Sequence, residues 1–199
     1  MRILAVSGSL REGSFNTSLL RAALEAVPEG VELELWEGIG DLPLYDEDLE
    51  DDAPEPVRRL REDWASADAI LFATPEYNGS IPGGLKNAID WASRPRLEGV
   101  LRNKTVAVVG ASTGQFGALW AQQDLKRILG VAGARVVGTE IPVTRAHELF
   151  DTNGRLVDGE VFEQLRLHLS TLASEAIVAP DRVAARAKRR GRSKRPLLQ

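Results

Sequence analysis

Cysteine is absent from the 199 residues. Its absence excludes disulfides, thiolate nucleophiles and cysteine-ligated zinc or iron–sulfur centres, and it suits a chain that works in the cytoplasm. Histidine is almost as scarce: His147 and His168 stand 21 positions apart and offer no closely spaced pair of metal ligands. No apolar run approaches the roughly 20 residues that cross a bilayer, so no membrane insertion is expected. The apolar stretch Ile3-Leu4-Ala5-Val6, directly after Met1-Arg2, is too short for the core of a secretory signal. No internal repeat is visible, and no Ser–His–Asp arrangement suggests itself.

What is present is an ordinary globular composition, 43% hydrophobic and 27% charged, at a length that suits one domain with a single core. The net charge of −4 hides an asymmetry. Between Arg182 and Gln199 lie eight basic residues and no acidic one, so the rest of the chain carries −12. An acidic body argues against nucleic-acid binding by the fold itself. The division expected is a folded domain over 1–178 and a basic, disordered, low-complexity tail over 179–199. That tail is at most a weak contact for nucleic acid or an acidic membrane. A second charged segment, Asp46 to Glu55, holds seven carboxylates and reads as a solvated loop.

Short apolar runs alternate with helical patterns. Ile3–Val6, Ala69–Ala73 and Val106–Val109 are nearly continuous apolar runs, as in parallel strands covered on both faces. Val31, Leu33 and Leu35 alternate with Glu32, Glu34 and Trp36, which places this strand near a sheet edge. A fifth strand is expected over Arg135 to Ile141. Between them, Leu20, Ala23, Leu24 and Val27 follow helical spacing, as do Val57, Leu60 and Trp64, and Leu85, Ala88, Ile89 and Ala92. Leu125, Ile128 and Leu129 form a fourth stripe; Phe162, Leu165, Leu169 and Leu172 form a fifth. Gly30 and Gly130 stand where glycines end helices. Five strands alternating with five helices make an α/β, doubly wound parallel sheet, whose ligand crevice lies at the carboxyl ends of the strands.

Three loops fall at those ends. The first, Gly8 to Ser18, gathers hydroxyls on Ser9, Ser14, Thr17 and Ser18, the amide of Asn16 and the guanidinium of Arg11, just before a helix N-terminus. Unpaired N–H groups and about half a positive charge there suit an anion. Capping by Ser14 or Asn16 accounts for one such group, not for so many donors. The loop lacks both the G-x-G-x-x-G spacing and a Gly-Lys-Ser/Thr, so a mononucleotide phosphate fits better than a pyrophosphate or triphosphate. The second loop, Thr74 to Asn87, is stiffened by Pro75 and Pro82 and opened by Gly79, Gly83 and Gly84, so backbone can approach a flat ligand and Tyr77 can offer a ring face. The third, Gly110 to Gly117, is again small and donor-rich. Alone it is weak, but the fold brings all three to one crevice.

The sequence Gly8-Ser9-Leu10-Arg11 with Ser14 and Asn16, followed after the third strand by Pro75-Glu76-Tyr77-Asn78-Gly79-Ser80-Ile81-Pro82-Gly83 and Leu85-Lys86-Asn87-Ala88-Ile89-Asp90-Trp91, closely resembles the NADPH-dependent FMN reductases. This family includes bacterial chromate and quinone reductases and some azoreductases. The resemblance runs over residues 1 to 175 and implies a flavodoxin-like sheet of order 2-1-3-4-5. It implies FMN as cofactor and NADPH or NADH as donor. Ser9, Arg11, Ser14, Asn16 and Thr17 would hold the phosphate and nearby ribityl. Pro75, Glu76, Tyr77, Asn78 and Gly79 would line the flavin ring, with Ser112, Thr113 and Gly114 on its other side. No side chain is assigned a catalytic role, because the chemistry belongs to the flavin N5.

The expected activity is electron transfer from NAD(P)H, through FMN, to quinones, flavins, azo compounds or chromate. Two rival readings are a flavodoxin-type electron carrier, which would not turn over NADPH, and a flavin-free binding module, which would be colourless. A homodimer is expected through the third and fourth helices, with Trp91, Leu119 and Trp120 as contact residues. Some relatives carry an arginine and a tyrosine that join a tetramer; Trp120 and Gln123 stand at those places here. His168 is expected on the surface or in an interface, Trp64 and Trp91 in the core, and Trp36 as an interface candidate.

Overall fold

The computed structural model describes the backbone of residues 1–192 and the side chains of residues 1–178. Its elements are β1 (Arg2–Ser7), α1 (Phe15–Glu25), β2 (Glu32–Trp36), α2 (Glu55–Ser66), β3 (Ala69–Ala73), α3 (Gly83–Ala92), β4 (Thr105–Ala111), α4 (Leu119–Val131), β5 (Arg135–Val136), β6 (Pro142–Val143), α5 (Ala146–Leu149) and α6 (Gly159–Arg192). The strands pair in parallel in the order β2-β1-β3-β4-β5, as the resemblance implies, and β6 also pairs with β4.

The period-two rule of strands divides the core between two faces. In β1, Ile3 and Ala5 join the cluster under α1 and α6, while Leu4 and Val6 join the cluster under α2, α3 and α4. The first face is lined with small residues such as Ala5, Ala69, Ala73 and Ala107. The second carries Ile70, Phe72, Val106 and Val108. Small side chains let helix backbones approach closely, whereas bulky ones fill a wider gap. Trp64 seats edge-on against Phe72 at 5.4 Å, deep in the second face.

Several expectations need correction. The fifth strand is not continuous. Extended pairing stops at Val136 and resumes at Pro142, and between them Gly138 takes φ +74°. His168 of α6 packs against this turn: a Cβ at Gly138 would lie 2.5 Å from the imidazole Cε1, so a side chain does not fit there. His168 is therefore a core residue, only 6% exposed, and its Nε2 has no hydrogen-bond partner among the described residues. Burial first, then the Lys126 charge, push its pKa down to about 4. Trp36 is buried as well: its indole N–H donates to the Asp63 carboxylate at 2.8 Å and its ring meets Trp64 edge-on. On α1 the buried pair is Leu19 and Leu20, while Leu24 is exposed. Gly130 lies inside α4, and the glycine of positive φ past its end is Gly133.

Of the seven carboxylates between Asp46 and Glu55, six are exposed and only Glu50 is half-buried. Glu50 accepts the Tyr45 hydroxyl, which pushes that phenol's pKa up to about 12. Helix α6 runs on to Arg192, past the boundary expected at 179. The rest of the tail expectation lies outside the described residues.

Candidate active site

The carboxyl ends of β1, β3 and β4 are cross-linked by backbone bonds that outrun the strands. Gly8 N donates to Ala73 O at 2.8 Å, Thr74 N to Val109 O at 3.0 Å and Gly110 N to Ile141 O at 3.3 Å. Side chain and loop contacts then shape each of the three turns.

In the first, Ser14 caps α1 by accepting from Thr17 N at 3.4 Å. The Ser7 and Thr17 hydroxyls bond at 2.8 Å, Ser9 N donates to the Ser7 hydroxyl at 3.3 Å, and Arg11 N donates to the Ser9 hydroxyl at 3.4 Å. Arg11 is exposed, rests its guanidinium 5.9 Å from the Phe15 ring centroid, and has no ion-pair partner among the described residues. Asn16, expected among the ligands, also fastens the fold. It is buried, donates to Ala111 O at 2.9 Å and accepts from Ala111 N at 2.9 Å. Each polar atom of its amide thus makes one bond that ties α1 to the end of β4.

In the second loop, Pro75 is buried and Tyr77 to Ser80 form a two-residue hairpin, exchanging bonds of 3.0 and 3.1 Å. Asn78 at φ +53° and Gly79 at φ +76° occupy its tip, the Asn-Gly pattern favoured where both central residues take positive φ. Tyr77 is 51% exposed. The Glu76 carboxylate accepts Ala121 N at 3.2 Å, at the N-terminus of α4, where a negative charge is favoured. Ser80 donates its hydroxyl to the Asp124 carboxylate at 2.5 Å. That bond first, and Arg127 second, hold the Asp124 carboxyl below the usual carboxylate range.

In the third loop, Ser112 accepts Gly114 N on its hydroxyl at 3.1 Å and Ala146 N on its carbonyl at 3.0 Å, and its own N donates to Val143 O at 3.0 Å. Thr113 and Gly114 are exposed. Sequence reasoning missed Gln122, which is wholly buried. It donates to Gly117 O at 3.1 Å and Ile141 O at 3.2 Å, and accepts Ile141 N at 3.0 Å. The available signal was its position: a glutamine on the stripe it shares with buried Leu125 and Leu129. Phe116 and Trp120 meet in a tilted contact, ring centroids 4.6 Å apart, and stay nearly half exposed. Trp91, expected as a contact residue, is fully buried and donates to Pro43 O at 2.9 Å; Leu119 is half-buried.

The donor set fits a phosphate-bearing flat ligand. It supplies an unpaired arginine, partly exposed Ser9 and Thr17 and a helix N-terminus on one side, and a tyrosine-bearing hairpin on the other. Among the described residues, no group of three or more His, Cys, Asp or Glu side chains could hold a metal ion.

Comparison with known proteins agrees with this geometry. Residues 1–148 match the family model of the NADPH-dependent FMN reductases. An NAD(P)H-dependent FMN reductase of Pseudomonas aeruginosa is 43% identical over 86% of this chain and 93% of its own. A 2-hydroxy-1,4-benzoquinone reductase of a Burkholderia species is 35% identical over 87% and 95%. Among solved structures, the flavoenzyme FerB of Paracoccus denitrificans, an NAD(P)H:(acceptor) oxidoreductase, superposes with a TM-score of 0.76 at 34% identity, covering 87% of this chain and 97% of that one. With its sheet order, its three loops and these relatives in agreement, the chain belongs to the NADPH-dependent FMN reductase family and is an FMN-dependent NAD(P)H oxidoreductase.

Proposed function

We propose that the enzyme passes electrons from NAD(P)H to quinones in the cytoplasm, with FMN seated across the three loops. When bound, FMN supplies the redox chemistry. The chain's own residues bind and orient it. Arg11, the Ser9 and Thr17 hydroxyls and the N-terminal N–H groups of α1 take the phosphate, and Ser14 shapes that turn as its cap. Asn16 acts one step back, by fixing the loop on β4. Pro75, Glu76, Tyr77, Asn78 and Gly79 border one side of the ring, and Ser112, Thr113 and Gly114 the other. The observation that carries this reading is Arg11, an exposed cation with no ion-pair partner among the described residues, on a loop whose Ser7, Ser9 and Thr17 hydroxyls are hydrogen-bonded. Quinones are favoured as acceptors because relatives at 35% and 42% identity are a benzoquinone reductase and a quinone reductase.

The same proposal includes a homodimer across α3 and α4. Phe116, Trp120 and Val131 leave large apolar surface exposed there, such patches mark interfaces, and a two-fold pair is the commonest solution. Purified protein should show flavin absorption, and its FMN-dependent NAD(P)H oxidation should be accelerated by quinone. FMN-loaded protein that oxidises NAD(P)H no faster than free FMN would favour the electron-carrier reading instead. Sedimentation of Trp120→Glu should give monomers; an unchanged dimer would remove this face from the interface.

A further inference from the structure

The hairpin of residues 77–80 has little of its own to hold it. It makes two cross-strand bonds, its tip is exposed, and a Cβ at Gly79 would meet nothing within 4 Å. A lone two-stranded hairpin is marginal in water, so its place must be imposed from outside. Two side-chain bonds do this, one at each end: Glu76 to Ala121 N and Ser80 to Asp124. Both reach the first two turns of α4, which is itself anchored by buried Ala121, Leu125 and Leu129 and by the Gln122 amide. Asp124 sits one turn along from Ala121, so the helix holds both ends of the hairpin against one rigid body.

We infer that Asp124 is a positioning residue for the flavin ring: through Ser80 it fixes the hairpin whose backbone borders the heterocycle. The inference rests on the FMN-site reading above. Neither Ser80 nor Asp124 is among the ligands that the sequence suggested, and neither needs to touch the flavin. The Asp124 carboxyl stays ionised below the ordinary range, which keeps it an acceptor throughout neutral and mildly acidic solution. Arg127, at 2.7 Å on the other carboxylate oxygen, is largely exposed, and such a pair contributes little.

The test compares FMN and riboflavin, which share the ring but differ in the phosphate. Asp124→Ala should weaken both by the same factor, about tenfold, the scale of one hydrogen bond to a charged group. Asp124→Asn retains an oxygen to accept the Ser80 hydroxyl and should return affinity to within about twofold of native. Arg127→Ala should leave both affinities nearly unchanged. Should Asp124→Ala fail to fold, Ser80→Ala removes the same bond from the loop side and should give the same equal losses. Unchanged flavin affinity in the folded variant would overturn the inference. So would a loss confined to FMN, which would put the effect at the phosphate, or an Asn variant no better than Ala. A native protein that binds neither flavin would instead sink the underlying site reading.

Discussion

The loops after β1 and β3 follow neighbouring parallel strands at the same end of the sheet, yet they are built in opposite ways. The first is tied inward. Asn16 is buried and doubly hydrogen-bonded to Ala111, and Ser7 with Thr17 closes the base of the turn. The second is tied outward, to a helix beside it, through Glu76 and Ser80, while its tip stands in solvent. A loop whose contacts are core contacts cannot change shape without cost to the whole fold. One slung from a neighbouring helix can be altered at its tip with little effect on stability. The difference separates residues that keep the protein folded from residues that tune what it binds.

The comparison can be broken most directly at Asn16. Asn16→Leu should cost about 2–6 kcal/mol in urea unfolding, since two buried backbone groups of Ala111 lose their partner at about 1–3 kcal/mol each. A cost below about 0.5 kcal/mol would show that the first loop is not part of the core. Acid sensitivity offers a further contrast, because one source of it, His168, lies in neither loop. His168 titrates near 6.5 when unfolded and about 4 when folded, so the unfolded chain binds the extra proton between those values. Stability is therefore complete above about pH 6.5 and falls as pH drops, by about 2 kcal/mol at pH 5. His168→Phe should flatten that slope; an equally steep profile in the variant would assign it to other groups. Arg11→Ala should weaken FMN by about 1.5–3 kcal/mol and leave riboflavin unchanged, as calorimetric titration would reveal. Equal losses would mean that the turn itself had collapsed. The smallest effect is expected at the hairpin tip. Gly79→Ala should cost only about 1 kcal/mol, for the left-handed backbone alone, and a loss as large as that at Asn16 would erase the distinction between the loops.

How far the sequence foretells this follows from the range of each interaction. β1, β3 and β4 are legible because their apolar runs are local signals: β3 coincides with its run, and β1 and β4 extend theirs by one or two residues at each end. The Asn-Gly tip and the Ser14 cap are local too. What escapes are contacts across the fold. Nothing near residue 138 announces that a histidine 30 positions later packs against Gly138. Nothing near Asn16 shows that its amide will bond Ala111, and nothing near Ser80 points to Asp124, 44 positions on. Trp36 reads as exposed beside two glutamates, yet the Asp63 carboxylate gives its N–H a partner and lets the ring turn inward. The site is thus legible as a set of loops, but not as a division between residues facing a ligand and residues facing the core.

The pairing of Asn16 with Ala111 spans 95 positions, and that distance has a consequence for the order of events during synthesis. The residues proposed to hold the phosphate leave the ribosome early, but the strand that Asn16 is bonded to follows nearly a hundred residues later. Until β4 joins the sheet the turn lacks its fastening, so a nascent chain ending before Ala111 has no formed cradle. Such a long closure is slow relative to local structure. On the proposed site, the binding energy of FMN would enter only once the central sheet is assembled, and it would then stabilise that assembly as a whole.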